Sequence, residues 1–290
     1  MLPERRPVVL CADDYGLSPG VSRGILALAR VKRISATGAM TNIPAFPEAA
    51  PALAELSGTV GLGLHLTLTT GEPLGPLPRL APDGRLPPLG RLLRLALSGG
   101  LKAADVRPEI ERQLDAFAAA MGRLPDFVDG HQHVHVLPGV RGALLAALSV
   151  RGWRGWLRDP GDTLGAIRAR PQARKAFVVA GLGLGFGPAV RRAGFSANRG
   201  FSGFSDFAEG EGFAEAFEAS FRALGPAPVV MCHPGEIDEA LRALDPVVAS
   251  RPLELAYLGS GRFGDFLERE GLRLVPGPDL APHAHSPRPM

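Results

Sequence analysis

The 290-residue chain is 46% apolar and 21% charged, an ordinary globular balance with room for one large domain or two small ones. Its formal charge is only +3, its arginines are spread along the chain, and aromatic residues make up 6%, which argues against a basic, ring-lined groove for nucleic acid. Two cysteines, Cys11 and Cys232, make no disulfide framework, the start shows no signal-peptide pattern, and no uncharged apolar run reaches the ~20 residues of a spanning helix, so a reduced cytoplasmic setting is expected.

The apolar pattern alternates between strand-like and helix-like runs. Pro7–Ala12 reads as a short buried strand, and Val21–Val31 as a helix that Ser18-Pro19 would start. Ile34–Thr41 reads as a second strand, Pro47–Leu56 as a helix, and Val60–Thr69 as a third strand. Val106–Met121 is an amphipathic helix, Phe127–Val136 a fourth strand, Leu137–Val150 a helix, and Gly155–Arg158 a brief strand. Phe213–Leu224 and Phe263–Glu270 read as helices, Val229–Cys232 and Leu272–Val275 as late strands. Strands alternating with helices imply parallel βαβ units, and the count fits an α/β fold of the (β/α) barrel type, distorted or not fully regular. No GxGxxG follows the first strand, where a dinucleotide fold would carry it. One domain is expected over residues 1–277, followed by a proline-rich disordered tail, 278–290, in which His283 and His285 are tail composition rather than ligands.

Chemistry-bearing residues gather where such strands end. Asp13 and Asp14 close the first strand, His65 lies within the third, His131 in or just past the fourth, Arg158 ends the fifth, and His233 follows the late strand. Two adjacent carboxylates leaving a buried strand repel each other unless a cation or a shared proton intervenes. In a regular strand Asp129, His131, His133 and His135 share one face. At ~3.3 Å per residue, His131 and His135 stand too far apart to bind one ion, so one histidine is a ligand and the others, with Asp129, orient it. Gly63 beside His65 leaves room for an ion or a substrate. His233, held out of helical geometry by Pro234, suits a ligand, a proton donor or a turn. Arg158 could hold Asp13, contact substrate, or lie on the surface.

Four segments carry a family resemblance: ADDYGLSPGVSRGI from Ala12, GLHLTLT from Gly63, DGHQHVH from Asp129 and MCHPG from Met231. In this order and spacing they resemble the YdjC-like (ChbG-type) carbohydrate deacetylases, with Tyr15 where many members have phenylalanine. WLRDPGD from Trp156, NRGFSGFSDF from Asn198 and ELAYL from Glu254 look like the hopanoid-biosynthesis-associated HpnK branch. The resemblance implies a (β/α) barrel and one divalent ion held by Asp14, His65 and His131, with zinc or magnesium first and manganese or cobalt as alternatives. It implies Asp13 as catalytic base and His233 as proton donor, leaving Asp129, His133, His135 and Arg158 to support them or touch substrate. Spacing alone does not order Asp13 and Asp14 as base and ligand. The implied substrate is an N-acetylated sugar, for the branch the N-acetylglucosaminyl headgroup of a hopanoid lipid. Chitooligosaccharide deacetylation, two-ion phosphoester hydrolysis and non-catalytic sugar binding are the alternatives. Arg91–Leu101 and Ala166–Arg192 mix apolar and cationic side chains and would suit either packing as ordinary barrel helices or peripheral contact with the inner membrane face.

Overall fold

The computed structural model describes residues 5–206 and 212–280. Nine strands form one sheet: β1 (Arg6–Tyr15), β2 (Ala36–Ala39), β3 (Gly61–Leu66), β4 (Phe127–Gly130), β5 (Trp156–Leu157), β6 (Ser196–Ala197), β7 (Phe201–Ser202), β8 (Val229–Cys232) and β9 (Leu272–Leu274). The pairings between strands are parallel, and the order β6-β5-β4-β3-β2-β1-β8-β7 runs round a curled sheet in chain sequence. Among the described residues the circuit is open only between β6 and β7, with β9 paired to the start of β1. This is the expected (β/α) barrel in an incompletely closed form.

The two faces of β1 explain both cores. Val8, Leu10 and Ala12 point outward and pack under the helices, whereas Val9 and Cys11 point into the barrel with Phe127, Trp156, Phe201, Val229 and Met231. Two apolar faces on one strand are the signature of a parallel sheet covered on both sides. The outer layer is built from helices such as Pro19–Arg30, where the Ser18 hydroxyl accepts from the Val21 N–H at 3.2 Å and Pro19 opens the first turn. The helix Ala103–Met121 buries Val106, Ile110, Leu114 and Phe117 at helical spacing.

Two expectations are corrected. The fourth strand stops at Gly130 rather than Val136, because Gln132 and His133 adopt left-handed φ values of 52° and 59° and break the two-residue alternation. The sequence pattern also missed β6, β7 and the helices Leu164–Arg168, Ala173–Leu182, Phe186–Arg192, Glu239–Leu244 and Ser250–Gly259, where glycine, proline and arginine blur the apolar period. In the helix Leu89–Leu97, Leu92 is fully buried and Leu93 and Leu95 lean on the core, as the barrel-helix reading of this segment expects, while Leu97 is 61% exposed. Leu280, assigned to the tail, packs on the barrel interior; His283, His285 and the rest of that tail lie outside the described residues.

The gap between β6 and β7 is held by side chains. Asn198 accepts from the Asp159 N–H at 2.7 Å and donates to the Asp159 and Gly200 carbonyls, both at 2.9 Å. Asp162 accepts from Arg170 at 2.7 Å and from the Phe201 N–H at 3.2 Å.

Lower in the barrel, Phe127 stacks on Trp156 with ring centroids 4.7 Å apart, and Phe127 fills the space above Gly63. A methyl group on Gly63 would come within 2.3 Å of the Phe127 ring. Gly63→Ala should therefore destabilise the fold by ~1–3 kcal/mol through overpacking. In a Phe127→Leu background that loss should shrink; equal losses in both backgrounds, measured by denaturant unfolding, would remove this contact as the cause.

Candidate metal centre and active site

Above the Phe127–Trp156 layer, the inward positions turn polar. Asp13 continues the inward row of Val9 and Cys11, His65 continues that of Gly63, Asp129 that of Phe127, and Arg158 that of Trp156. His65 and Asp129 are register partners on β3 and β4. Simple alternation would send Asp14 outward. Instead β1 carries a bulge between Ala12 and Tyr15, and Asp14 takes a left-handed φ of 73°. Adjacent carboxylates thereby face the same site, Asp13 2% and Asp14 1% exposed.

The donors converge on Asp14. Its Oδ1 lies 3.2 Å from His65 Nε2 and 3.0 Å from His131 Nδ1, and its Oδ2 accepts from Arg251 Nη2 at 2.7 Å. One donor atom each from Asp14, His65 and His131 falls within 4.8 Å of the others. Ligands of a tetrahedral ion bonded at ~2.0–2.1 Å stand about 3.3 Å apart, close to the separations found here. Asp129 Oδ1 holds His65 Nδ1 at 2.7 Å, which turns Nε2 toward Asp14; Gly38 on β2 makes room, since a Cβ there would press on both side chains.

Charge also fits a cation. Around this point the protein buries the carboxylates of Asp13, Asp14, Asp129 and Asp245 against only two guanidinium groups, Arg158 and Arg251. Burial works against a charged imidazole, but Asp129 and Asp13 outweigh it and raise His65 to about 10. A proton on His65 thus offsets part of the excess negative charge, and a divalent ion held by Asp14, His65 and His131 would displace it. The residues present fit such an ion.

Arg158 is fully buried, and it holds Asp13 rather than lying on the surface. Its Nη1 and Nη2 each reach an Asp13 oxygen at 2.6 Å, and Nη2 also meets Asp129 Oδ2 at 2.5 Å. Burial alone would raise the Asp13 carboxyl, but Arg158 outweighs it and holds the group below the usual carboxylate range. A second trio, Cys11, Asp13 and Asp129, also comes close together, but the Arg158 guanidinium already bridges both of its carboxylates. Both thiols are buried and free, and burial pushes each well above its ordinary range.

The three histidines past β4 separate instead of sharing a face. His131 goes to Asp14. His133 lies against the Phe201 and Phe204 rings, at 5.6 and 5.8 Å, and burial keeps it neutral. His135 turns back under Gly130, where a Cβ would crowd it, and its Nε2 donates to the Arg158 carbonyl at 2.7 Å. His233 Nε2 stands 3.9 Å from Asp13 Oδ2, and burial lowers the ring to about 4, so at rest it is neutral. Sequence reasoning missed Arg251, Asp245 and Glu254. Glu254, lifted to about 7 by burial, accepts from the His233 backbone N–H at 2.5 Å. A buried Arg-x-x-Glu on one helix face was the available signal.

A pocket of about 270 Å³ opens onto these groups, lined by Asp13, Asp14, His65, His131, His133 and His233, with Leu89, Val179, Met231 and Val247 as its apolar walls. Lys175 stands at the same pocket.

A polar cluster at the C-terminal ends of barrel strands, with an Asp/His/His donor group, defines a barrel hydrolase-type site able to hold a metal. Residues 7–269 match the YdjC-like protein family, and the chain belongs to that family. It is 30% identical over 237 residues to a chitooligosaccharide deacetylase of Klebsiella pneumoniae (strain 342), covering 81% of this chain and 84% of that protein. It is 37% identical over 134 residues to a chitooligosaccharide deacetylase of Enterobacter sp. (strain 638), covering 46% and 52%, and 37% identical over 157 residues to a Homo sapiens carbohydrate deacetylase, covering 52% and 47%. The chain thus spans about half the length of the Enterobacter and human relatives. A solved Enterococcus faecalis V583 structure, described as a proposed cellobiose-phosphate cleavage protein, shares the fold with TM-score 0.69 and 23% identity, over 93% of this chain and 97% of that one.

If the Asp14 group binds a divalent ion, zinc uptake should release protons, and affinity should fall as pH drops, because protons on His65 compete with the ion. Calorimetry in buffers of different ionisation enthalpy reads this directly. His65→Ala and His131→Ala should abolish uptake of one equivalent; tight uptake by both variants would misplace the site.

Proposed function

We propose that this chain is a metal-dependent carbohydrate N-deacetylase acting on an N-acetylglucosamine-type sugar. The observation that carries the reading is one pocket uniting the Asp14–His65–His131 donor group, His233 and Asp13, which the buried Arg158 holds from behind. The names of the Klebsiella and human relatives point to the same chemistry. Asp14, His65 and His131 would hold the ion, with zinc favoured by two imidazole donors. When bound, the ion supplies Lewis-acid polarisation of the acetyl carbonyl and acidifies water.

The protein's own groups do the rest. Arg158 keeps Asp13 ionised and oriented, so Asp13 takes the proton from the attacking water. His233 then protonates the departing amine. Because its ring is neutral at rest, that proton arrives during turnover. Asp13, 3.9 Å away, is the group that has just gained one, and a carboxyl held below its usual range gives a proton up readily. Because Arg158 already bridges the second carboxylate pair, one ion is favoured over two, which weakens the phosphoesterase alternative.

For the substrate we favour a terminal N-acetylglucosaminyl group on an apolar aglycone, such as a hopanoid, over a chitooligosaccharide. The apolar walls Leu89, Val179, Met231 and Val247, and the lack of phenylalanine, tyrosine or tryptophan among the described lining residues, support that choice. No described helix is long and apolar enough to cross a membrane. Peripheral contact would fall to exposed side chains such as Val178, 63% exposed on the pocket-lining helix Ala173–Leu182, and Leu184, 81% exposed just past its end.

Acetate release from N-acetylglucosaminyl lipid and from chitobiose should favour the lipid; a preference for chitobiose would assign the oligosaccharide instead. Asp13→Asn should retain the metal and lose ~10²–10⁴-fold in kcat, whereas Asp14→Asn should lose the metal first. The reverse pattern would exchange their roles.

A further inference from the structure

The helix Ser250–Gly259 lies outside the strand ends that supply the proposed ligands and acid–base groups, yet two of its side chains reach the site. Arg251 is 1% and Glu254 2% exposed, and residues three apart on a helix share a face. Arg251 Nη2 reaches Asp14 Oδ2 at 2.7 Å and Asp245 Oδ2 at 2.8 Å, while its Nε donates to the Val247 carbonyl at 2.9 Å. The guanidinium is therefore fixed before it touches Asp14. With Oδ2 taken, the oxygen that Asp14 turns toward His65 and His131 is Oδ1.

The same helix holds the segment that carries His233. Glu254 Oε2 accepts from the His233 N–H at 2.5 Å, and the Arg251 carbonyl accepts from the Gly235 N–H at 3.2 Å. His233 follows the last residue of β8, where ladder bonding has ended, so these bonds replace the sheet in fixing its backbone.

We propose that this helix is the positioning strut of the site: Arg251 makes Asp14 a one-oxygen ligand, and Glu254 sets the backbone from which His233 projects. Both are positioning residues. The inference rests on the reading of Asp14 as a metal ligand.

Cobalt uptake and its visible absorption spectrum report ligand geometry without any turnover. Arg251→Gln should weaken cobalt binding ~10–100-fold and alter the spectrum, because the second Asp14 oxygen is released. Asp245→Asn, which keeps the arginine but removes one of its anchors, should shift both readouts in the same direction by less. For the other half, Glu254→Ala should speed hydrogen exchange in the segment 232–235 and leave cobalt affinity unchanged. Glu254→Gln, which keeps an acceptor oxygen, should restore slow exchange. Wild-type cobalt affinity and spectrum in both Arg251→Gln and Asp245→Asn, or unchanged exchange in Glu254→Ala, overturns the strut. A wild-type protein that binds cobalt but releases no acetate overturns the deacetylase reading and leaves the strut standing. A wild type that binds no cobalt overturns both.

Discussion

Buried negative charge is the constraint on which this structure turns. Asp13, Asp14 and Asp129 are nearly or fully removed from solvent at one end of the barrel, and like charges in a poorly polarisable interior cannot stand together uncompensated. Arg158 answers for Asp13 and Asp129, and Arg251 for one oxygen of Asp14. The remaining oxygen faces two imidazoles, one of which is raised to about 10 by the same carboxylates. The unspent charge at Asp14 is thus where a cation belongs, and the cationic partners elsewhere keep it from spreading over several sites.

The barrel makes this arrangement affordable to the fold by separating its layers. Below the polar groups, Phe127 and Trp156 stack over Gly63 and close the interior with apolar surface. Above them, β1, β3 and β4 and the residue after β5 each turn one polar side chain inward: Asp13, His65, Asp129 and Arg158. Two local departures from regular strand geometry complete the set: the bulge that turns Asp14 inward, and the left-handed pair Gln132–His133 that breaks the strand direction after His131 and turns His135 back beneath Gly130. Non-glycine residues in that region of backbone space cost ~1–3 kcal/mol each and persist where surrounding contacts fix them.

The segments that suggested a particular branch of the family do different jobs. Asp159, Asp162 and Asn198 hold the open seam between β6 and β7, and Phe201 and Phe204 flank His133. They shape the barrel wall rather than line the pocket. Glu254, in the third of these segments, touches the backbone of His233. The branch motifs thus speak to architecture and positioning.

What the sequence determined by itself was the period of its apolar residues and the chemical type at each strand end. Those two readings were enough for parallel βαβ units, for two-faced strands, and for Asp13, Asp14, His65, His131 and His233 as one candidate group, because strand parity and residue type are local properties. Tertiary structure alone decided where Asp14 points, that the histidine run leaves the strand after Gly130, and that Arg158, Arg251 and Glu254 are buried partners instead of surface charges. The physical reason is range. A bulge and two left-handed residues reverse the direction of side chains without changing composition, and an arginine 237 residues from its aspartate becomes its partner only when the barrel brings β1 and the helix Ser250–Gly259 together.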